Sequence, residues 1–304
     1  MVLPMSRSFL STDQINLELI KKLYKSAKKI EKSDQDKSDL ENNFQNHRAC
    51  LYFDQPSTRT KHSFLAAFQL LGVSVSDFGS EVTSSLSKGE SISDTLQTLF
   101  HYYDILVVRT REMEVFEKAK EIVGRLPNKI LINAGSGSED HPTQALLDML
   151  TIYENYETKI PDNLTATIVG DYDRGRAAKS FAKAISNLGW GKVQVVGPQN
   201  LTSKSSYPSF TDLGEVVEAT NVLYMMRLQS EYGGVSDKDV DYAKYFLNEN
   251  IQKRLQPTSM VLHPLPRGKE IPPSFDGDSR ALYWRQEQIG FYGRAALIQH
   301  LIAI

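Results

Sequence analysis

Apolar residues recur along this chain in two alternating rhythms, one of short continuous runs and one at helical spacing. Ile15, Leu17, Leu19, Ile20, Leu23 and Tyr24 follow the polar start Ser11–Thr12–Asp13 and predict a first helix, which the polar stretch 31–46 ends. Ala49–Cys50–Leu51–Tyr52–Phe53 is an apolar run bounded by polar residues and predicts a buried strand. Phe64, Ala67, Phe68 and Leu71 then recur at i, i+3, i+4 and i+7, with Gly72 where a helix-ending glycine belongs. The same unit repeats: Ile105–Leu106–Val107–Val108 precedes a charged helix over 112–123, and Ile130–Leu131–Ile132 precedes a helix opening near His141–Pro142. Strands alternating with helices predict a parallel sheet.

A polar stretch over 154–163 interrupts this series, after which Thr167–Gly170, Val193–Gly197, Val222–Met225 and Met260–Leu262 begin a second one. The expected organisation is therefore α/β in two domains, 1–153 and 154–285, each a parallel sheet flanked by helices. A single Pro-free helix over 286–304 closes the chain. The serine-rich segment 84–93 reads as a polar loop.

Composition narrows the function classes. At 304 residues the chain has room for about two domains, and 40% hydrophobic with 24% charged residues is a folding composition rather than a disordered one. Lys plus Arg total 35 against 37 for Asp plus Glu, a net charge of −2, which argues against a nucleic-acid-coating or membrane-surface protein. Cys50 is the only cysteine, so neither an internal disulfide nor a multi-thiolate metal site can form. Arg7 and Ser8 sit where a secretory leader would need an apolar core, and no stretch approaches the ~18 apolar residues of a membrane span. A cytoplasmic protein with no membrane or nucleic-acid partner is expected.

In open parallel sheets, ligands collect outside the carboxyl ends of the strands, and five such places are polar here. Ser57–Thr58–Arg59–Thr60 combines hydroxyls and a guanidinium with a helix N-terminus, a combination suited to an anion of phosphate size. An ordinary Ser/Thr cap accounts for one of those hydroxyls but not for the flanked Arg. Arg109 follows Val107–Val108; alone it reads as a solvated or salt-bridged surface residue, and only its predicted place beside the first segment makes it a candidate. His141–Pro142–Thr143–Gln144 places an imidazole and a carboxamide on one helical face, able to polarise a carbonyl and hold an amide, or merely to cap a helix. Arg176, after Asp171, and Arg227–Leu228–Gln229 supply two guanidiniums for carboxylates, with salt bridges to Asp171, Asp173 or Glu231 as the competing account. In His263–Pro264–Leu265–Pro266–Arg267, two prolines predict an extended backbone with open carbonyls, or simply a rigid turn.

Taken together these segments resemble the carbamoyltransferase family. Ser57–Thr60 followed by Ser63–Phe64 is similar to its carbamoyl-phosphate signature, and His141–Gln144 to its second motif. Arg227–Leu228–Gln229 and His263–Arg267 resemble the aspartate branch rather than the ornithine branch. The resemblance implies that Ser57, Thr58, Arg59, Thr60 and Arg109 bind the phosphate of carbamoyl phosphate. His141, Thr60 and Arg109 would polarise its carbonyl, while Gln144 and the carbonyls of Pro264 and Leu265 hold its NH2. Arg176, Arg227 and Gln229 would take the carboxylates of L-aspartate. Ser85 and Lys88 would reach into a neighbouring subunit's site, implying a homotrimer, and the last helix would return to the first domain. A regulatory chain or other pyrimidine-pathway enzymes are the further partners such a protein would have. Attack by an amine on a carbonyl, followed by loss of phosphate, needs fixed cations and positioning but no metal or other cofactor.

The sequence also departs from that pattern. Phe53–Asp54–Gln55–Pro56 has Asp where Glu is usual and one extra residue before Ser57, and the loop carrying Ser85 and Lys88 is one residue shorter. Ala177, Lys179 and Met226 replace the usual Thr, His and Thr, and 198–213 is short. The departures cluster on the amino-acid side and leave open a different amine acceptor. A catalytically inactive phosphate-binding scaffold is a third reading, and a dinucleotide-binding oxidoreductase lacks its G-x-G-x-x-G.

Overall fold

Two units, each with its own parallel sheet, make up the protein, one running through Leu150 and taking in Ile289–Ile304, the other Thr151–Gln288. The computed structural model describes residues 7–36, 44–78, 89–138, 140–156, 159–228 and 241–304. Ser85, Lys88 and Gln229 lie outside the described residues.

In the first unit, α1 (Leu17–Gln35) starts at Asn16, whose side chain accepts from Leu19 N at 2.9 Å, and buries Ile20, Leu23, Ala27 and Ile30. Its helical pattern runs past Glu31 because that side chain is buried and paired with Lys28 at 2.7 Å. Then follow β1 (Arg48–Phe53), α2 (Thr58–Leu70), β2 (Ser74–Phe78), α3 (Ile92–Tyr102), β3 (Ile105–Thr110), α4 (Met113–Val123), β4 (Ile130–Ser136) and α5 (Pro142–Asn155). The sheet order is β2-β1-β3-β4 with every pair parallel. Strands of such a sheet that are covered on both faces read as continuous apolar runs, as β1, β3 and the buried end strand β4 do. The edge strand β2 keeps Ser74 and Asp77 exposed and carries no such run. The segment expected as a polar loop over 84–93 ends in α3, because Ser91 accepts from Asp94 N at 3.1 Å and opens a helix. Cys50 is buried in the core with Leu96, Phe100, Leu106, Phe116 and Leu131. Burial, aided by the charge of Asp77, pushes its thiol up to about 12, so it stays an unreactive thiol.

The second unit contains β5 (Thr165–Val169), α6 (Arg176–Leu188), β6 (Lys192–Val196), α7 (Gln199–Thr202), β7 (Ser209–Phe210), β8 (Val222–Met225), α8 (Glu249–Arg254) and β9 (Met260–Leu262). Its parallel sheet has the order β7-β6-β5-β8-β9. Phe181 of α6 stacks on Tyr224 of β8 with ring centroids 4.2 Å apart, and Gly189 ends α6 at φ +64°.

The last helix, α9 (Tyr283–Ala303), begins three residues before the expected start at 286. It packs on the first unit: Ser26 Oγ donates to Gln299 Oε1 at 2.6 Å, and Tyr292 OH to Asp34 Oδ2 at 3.0 Å. No helix among the described residues is long and apolar enough to cross a membrane.

In both sheets the strand sequence reverses direction once, between β1 and β3 and between β5 and β8. Neighbouring connections there leave toward opposite faces and open a crevice at the carboxyl ends. The polar segments singled out from the sequence follow β1, β3, β5 and β8, the four strands that flank these reversals, and β4 and β9 beside them.

Candidate active site

At the β1–β3 reversal, α2 begins with Ser57 at φ −156° and no side-chain cap hydrogen bond. The simple capping account of this serine therefore fails, and its hydroxyl does not cover the positive end of the helix dipole. Ser57 is half-buried, Thr58 and Arg59 are exposed, and Thr60 is buried. The lengthened connection 54–57 is pinned to β3. Asp54 N donates to Arg109 O at 3.1 Å, and its carboxylate accepts from Thr110 Oγ1 and from Arg111 N.

Three of the predicted residues converge on one point. Arg109 Nη1 lies 3.5 Å from Thr60 Oγ1, 3.3 Å from Ala134 O and 3.2 Å from His141 Nε2. Because the guanidinium can only donate, His141 Nε2 accepts in this state, and the ring is neutral with its proton on Nδ1. Gln144, one turn into α5, donates through Nε2 to Asp148 Oδ1 at 2.9 Å, both side chains being buried. That bond orients the carboxamide with Oε1 as its remaining acceptor. The sequence reading missed Asp148, although its position four residues beyond Gln144 on a helix was the available signal.

In the second unit the β5–β8 reversal brings Gly170 and Met226 together. Gly170 has φ +122°, and a Cβ there would lie 2.6 Å from Met226 O, so only glycine fits. Met226, one of the departures from the family pattern, is buried, and its methyl packs against Gly175 so closely that a Cβ there would stand 2.3 Å away. Asp171 is gripped by Arg174, with Nε 2.7 Å from Oδ2 and the Arg174 N–H 3.2 Å from Oδ1. Its complete burial still outweighs these contacts and leaves its carboxyl above the usual range. Asp173 accepts from Ser203 Oγ at 2.9 Å and Lys204 N at 3.0 Å. The two aspartates offered as competitors for Arg176 and Arg227 therefore have partners elsewhere; Glu231 lies outside the described residues. Arg176 opens α6 half-buried. Arg227 is exposed, its stem alongside Gly268, where a Cβ would lie 3.7 Å from its Cδ.

The segment 263–267 corrects one expectation. Its prolines were to hold an extended chain, but Leu265 adopts φ +52°, in the left-handed region that disfavours a branched side chain. A buried network imposes this turn: Leu265 N donates to His263 Nδ1 at 2.7 Å, and His263 Nε2 donates to Glu270 Oε1 at 2.8 Å. Gly268 N reaches the same carboxylate at 2.6 Å, and Gln286 Oε1 accepts from His263 N at 2.9 Å. Burial alone would raise Glu270, but the bonds from His263 and Gly268 hold its carboxyl below the usual range. Among the described residues, neither the Pro264 nor the Leu265 carbonyl accepts a hydrogen bond.

Arg267 ends the segment. It donates through Nη2 to Asp276 Oδ2 at 2.7 Å and through Nη1 to Asp276 Oδ1 and Tyr283 OH, with its guanidinium over the Tyr283 and Trp284 rings. These bonds from Arg267 and Tyr283 hold the Asp276 carboxyl down at about 2 against an ordinary 3.8. A carboxylate depressed in the folded state contributes stability above its ordinary pKa and loses it as pH falls through the folded value. Wild type should therefore unfold at a higher temperature than Asp276→Asn above about pH 4, with the gap closing toward pH 2. A gap independent of pH in calorimetric scans would refute the coupling.

In each unit the sheet reversal places cationic or amide-bearing side chains at the carboxyl ends of parallel strands, the arrangement of an α/β protein that handles small anionic molecules. The match to known families is more specific. Residues 7–154 fit the aspartate/ornithine carbamoyltransferase carbamoyl-P binding domain and residues 162–301 the Asp/Orn binding domain of the same family, to which this chain belongs. It is 33% identical to the aspartate carbamoyltransferase catalytic subunit of Finegoldia magna over 98% of this chain and 99% of that one. It is 36% identical to multifunctional protein pyr1-3 of Dictyostelium discoideum, over 81% of this chain but only 11% of that much longer protein. The crystal structure of aspartate transcarbamoylase from Trypanosoma cruzi with carbamoyl aspartate and phosphate superposes with a TM-score of 0.83 at 31% identity, over 96% and 94% of the two chains.

Proposed function

We propose that this chain transfers the carbamoyl group of carbamoyl phosphate to the amine of L-aspartate, giving N-carbamoyl-L-aspartate and phosphate, the committed step of pyrimidine biosynthesis. The observation that carries the assignment is the meeting of Arg109, Thr60 and His141 within 3.5 Å beside the start of α2. A carbonyl oxygen entering that point takes hydrogen bonds from Arg109, from Thr60 and, once the imidazole proton sits on Nε2, from His141. These donors stabilise the negative charge that grows on oxygen as the amine attacks. The α2 N–H groups with Ser57, Thr58, Arg59 and Arg109 hold the phosphate. Gln144 Oε1 and the open carbonyls of Pro264 and Leu265 accept from the carbamoyl NH2. Arg176, Arg227 and Gln229 bind the two carboxylates. The new C–N bond forms, the C–O bond to phosphate breaks, and the departing phosphate takes the amine proton, so His141 acts as a hydrogen-bond donor rather than a base.

Assembly follows the same reading: a homotrimer in the cytoplasm, with Ser85 and Lys88 completing a neighbour's site, and other pyrimidine-pathway enzymes or a regulatory chain as partners. Met226, buried beside Gly170 and Gly175, favours one alternative, a different amine acceptor, because with Ala177 and Lys179 it alters the acceptor side. Phosphate release measured with carbamoyl phosphate and each amine separates the two. It should depend on L-aspartate; equal rates with ornithine or putrescine would overturn the acceptor assignment.

A further inference from the structure

The N-terminal segment runs beside β4 and ends against the residue that precedes His141. Phe9 lies parallel to Ile132, with Phe9 N donating to Leu131 O at 2.9 Å and Asn133 N to Phe9 O at 2.8 Å. Leu131 N donates to Ser8 Oγ at 3.0 Å, and Asn133 Nδ2 to Leu10 O at 3.0 Å. The chain then makes one 3₁₀ turn, Thr12–Gln14, closed by a capping box between Ser11 and Gln14. This turn buries Thr12 completely and aims both of its donors at one carboxylate 128 residues away. Thr12 N donates to Asp140 Oδ2 at 3.0 Å, and Thr12 Oγ1 donates to Asp140 Oδ1.

A carboxylate immediately before His141 is a hazard if left ungripped. It would repel an incoming phosphate. The Thr12 clamp occupies both carboxylate oxygens and fixes the backbone from which His141 leaves. On the other side, His141 O accepts from Gln144 N at 3.0 Å and Ala145 N at 3.1 Å, which starts α5. Ser136 and Asp140 form an antiparallel bridge that closes the intervening loop. The backbone of His141 is thus fixed from before and after its own residue.

We propose that Thr12 and Asp140 are positioning residues for the carbamoyl transfer: the two donors of Thr12 hold the Asp140 carboxylate so that His141 Nε2 stays at the Arg109 cluster. This rests on the assignment of His141 to the carbonyl oxygen. The test is steady-state kinetics at saturating carbamoyl phosphate and L-aspartate, with unfolding midpoints, for Thr12→Val, Thr12→Ser, Asp140→Ala, the Thr12→Val/Asp140→Ala double variant and His141→Asn. Thr12→Val and Asp140→Ala should each lower kcat about tenfold while KM for L-aspartate stays within about twofold, as expected when a reacting group is misplaced but not removed. The double variant should be no worse than Asp140→Ala, and Thr12→Ser, which keeps both donors, should restore kcat. A lowered midpoint with wild-type kcat in Thr12→Val and Asp140→Ala would overturn the proposal and leave the clamp purely structural. If His141→Asn loses activity in that case, the assignment of His141 stands and the clamp alone is refuted; if His141→Asn keeps wild-type kcat, the assignment falls and the proposal with it.

Discussion

Arg109→Ala should lower kcat for carbamoyl transfer by about 10³-fold, the largest single effect in the molecule, because it removes a fixed cation from the point where negative charge develops. Its neighbours Thr60 and His141 do not replace it, because a hydroxyl and a neutral imidazole carry no charge. The variant should fold, since Arg109 is only half-buried and its strand, β3, is held by Ile105–Val108 in the core. Steady-state kinetics decide the matter. A rise in KM for carbamoyl phosphate with unchanged kcat would mean that Arg109 binds the ground state and transition state equally and does not serve the reacting carbonyl.

The second large effect falls on the acceptor. Arg227→Ala should raise KM for L-aspartate by about 10²-fold, the size expected for losing a charge-assisted contact to a carboxylate, and leave KM for carbamoyl phosphate nearly unchanged. Arg267 cannot compensate, because its guanidinium is committed to Asp276 and Tyr283. Arg227→Lys should recover little, since an ammonium lacks the planar fork that grips a carboxylate at two points. If the altered pocket around Met226 accepts a different amine, KM for L-aspartate would already be high in wild type and insensitive to either substitution.

Much of the fold was legible because burial leaves a direct trace in sequence. β1, β3 and β4 are covered on both faces and read as apolar runs, and α5 announces itself by Pro142 at its first position. β2 left no such trace, because an edge strand with Ser74 and Asp77 exposed has no apolar face to display. β7, at two residues, is too short for any periodicity. α3 was hidden because its cap, Ser91, belongs to the serine-rich run that reads as loop.

The candidate site divides in the same way. Arg109 and His141 were legible by residue type and by their place after strands. The pairs around the candidate residues were not, because Thr12 meets Asp140 across 128 residues, and Glu270 meets His263 and Asp276 meets Arg267 across loops rather than along a helix or strand. Leu265 shows the limit of local rules: two flanking prolines favour extended backbone, yet the His263–Glu270 network turns the chain left-handed between them.

Whether the donor groups of the first unit and the acceptor groups of the second act on one pair of substrates is tested most directly by calorimetry with an unreactive analogue that joins a phosphonate to aspartate. Arg59→Ala and Arg227→Ala should each weaken its binding by about 10²-fold, since each removes a charge-assisted contact to a different end of the same molecule. Binding that responds to only one of the two substitutions would contradict the account, because the other arginine would then serve a different ligand.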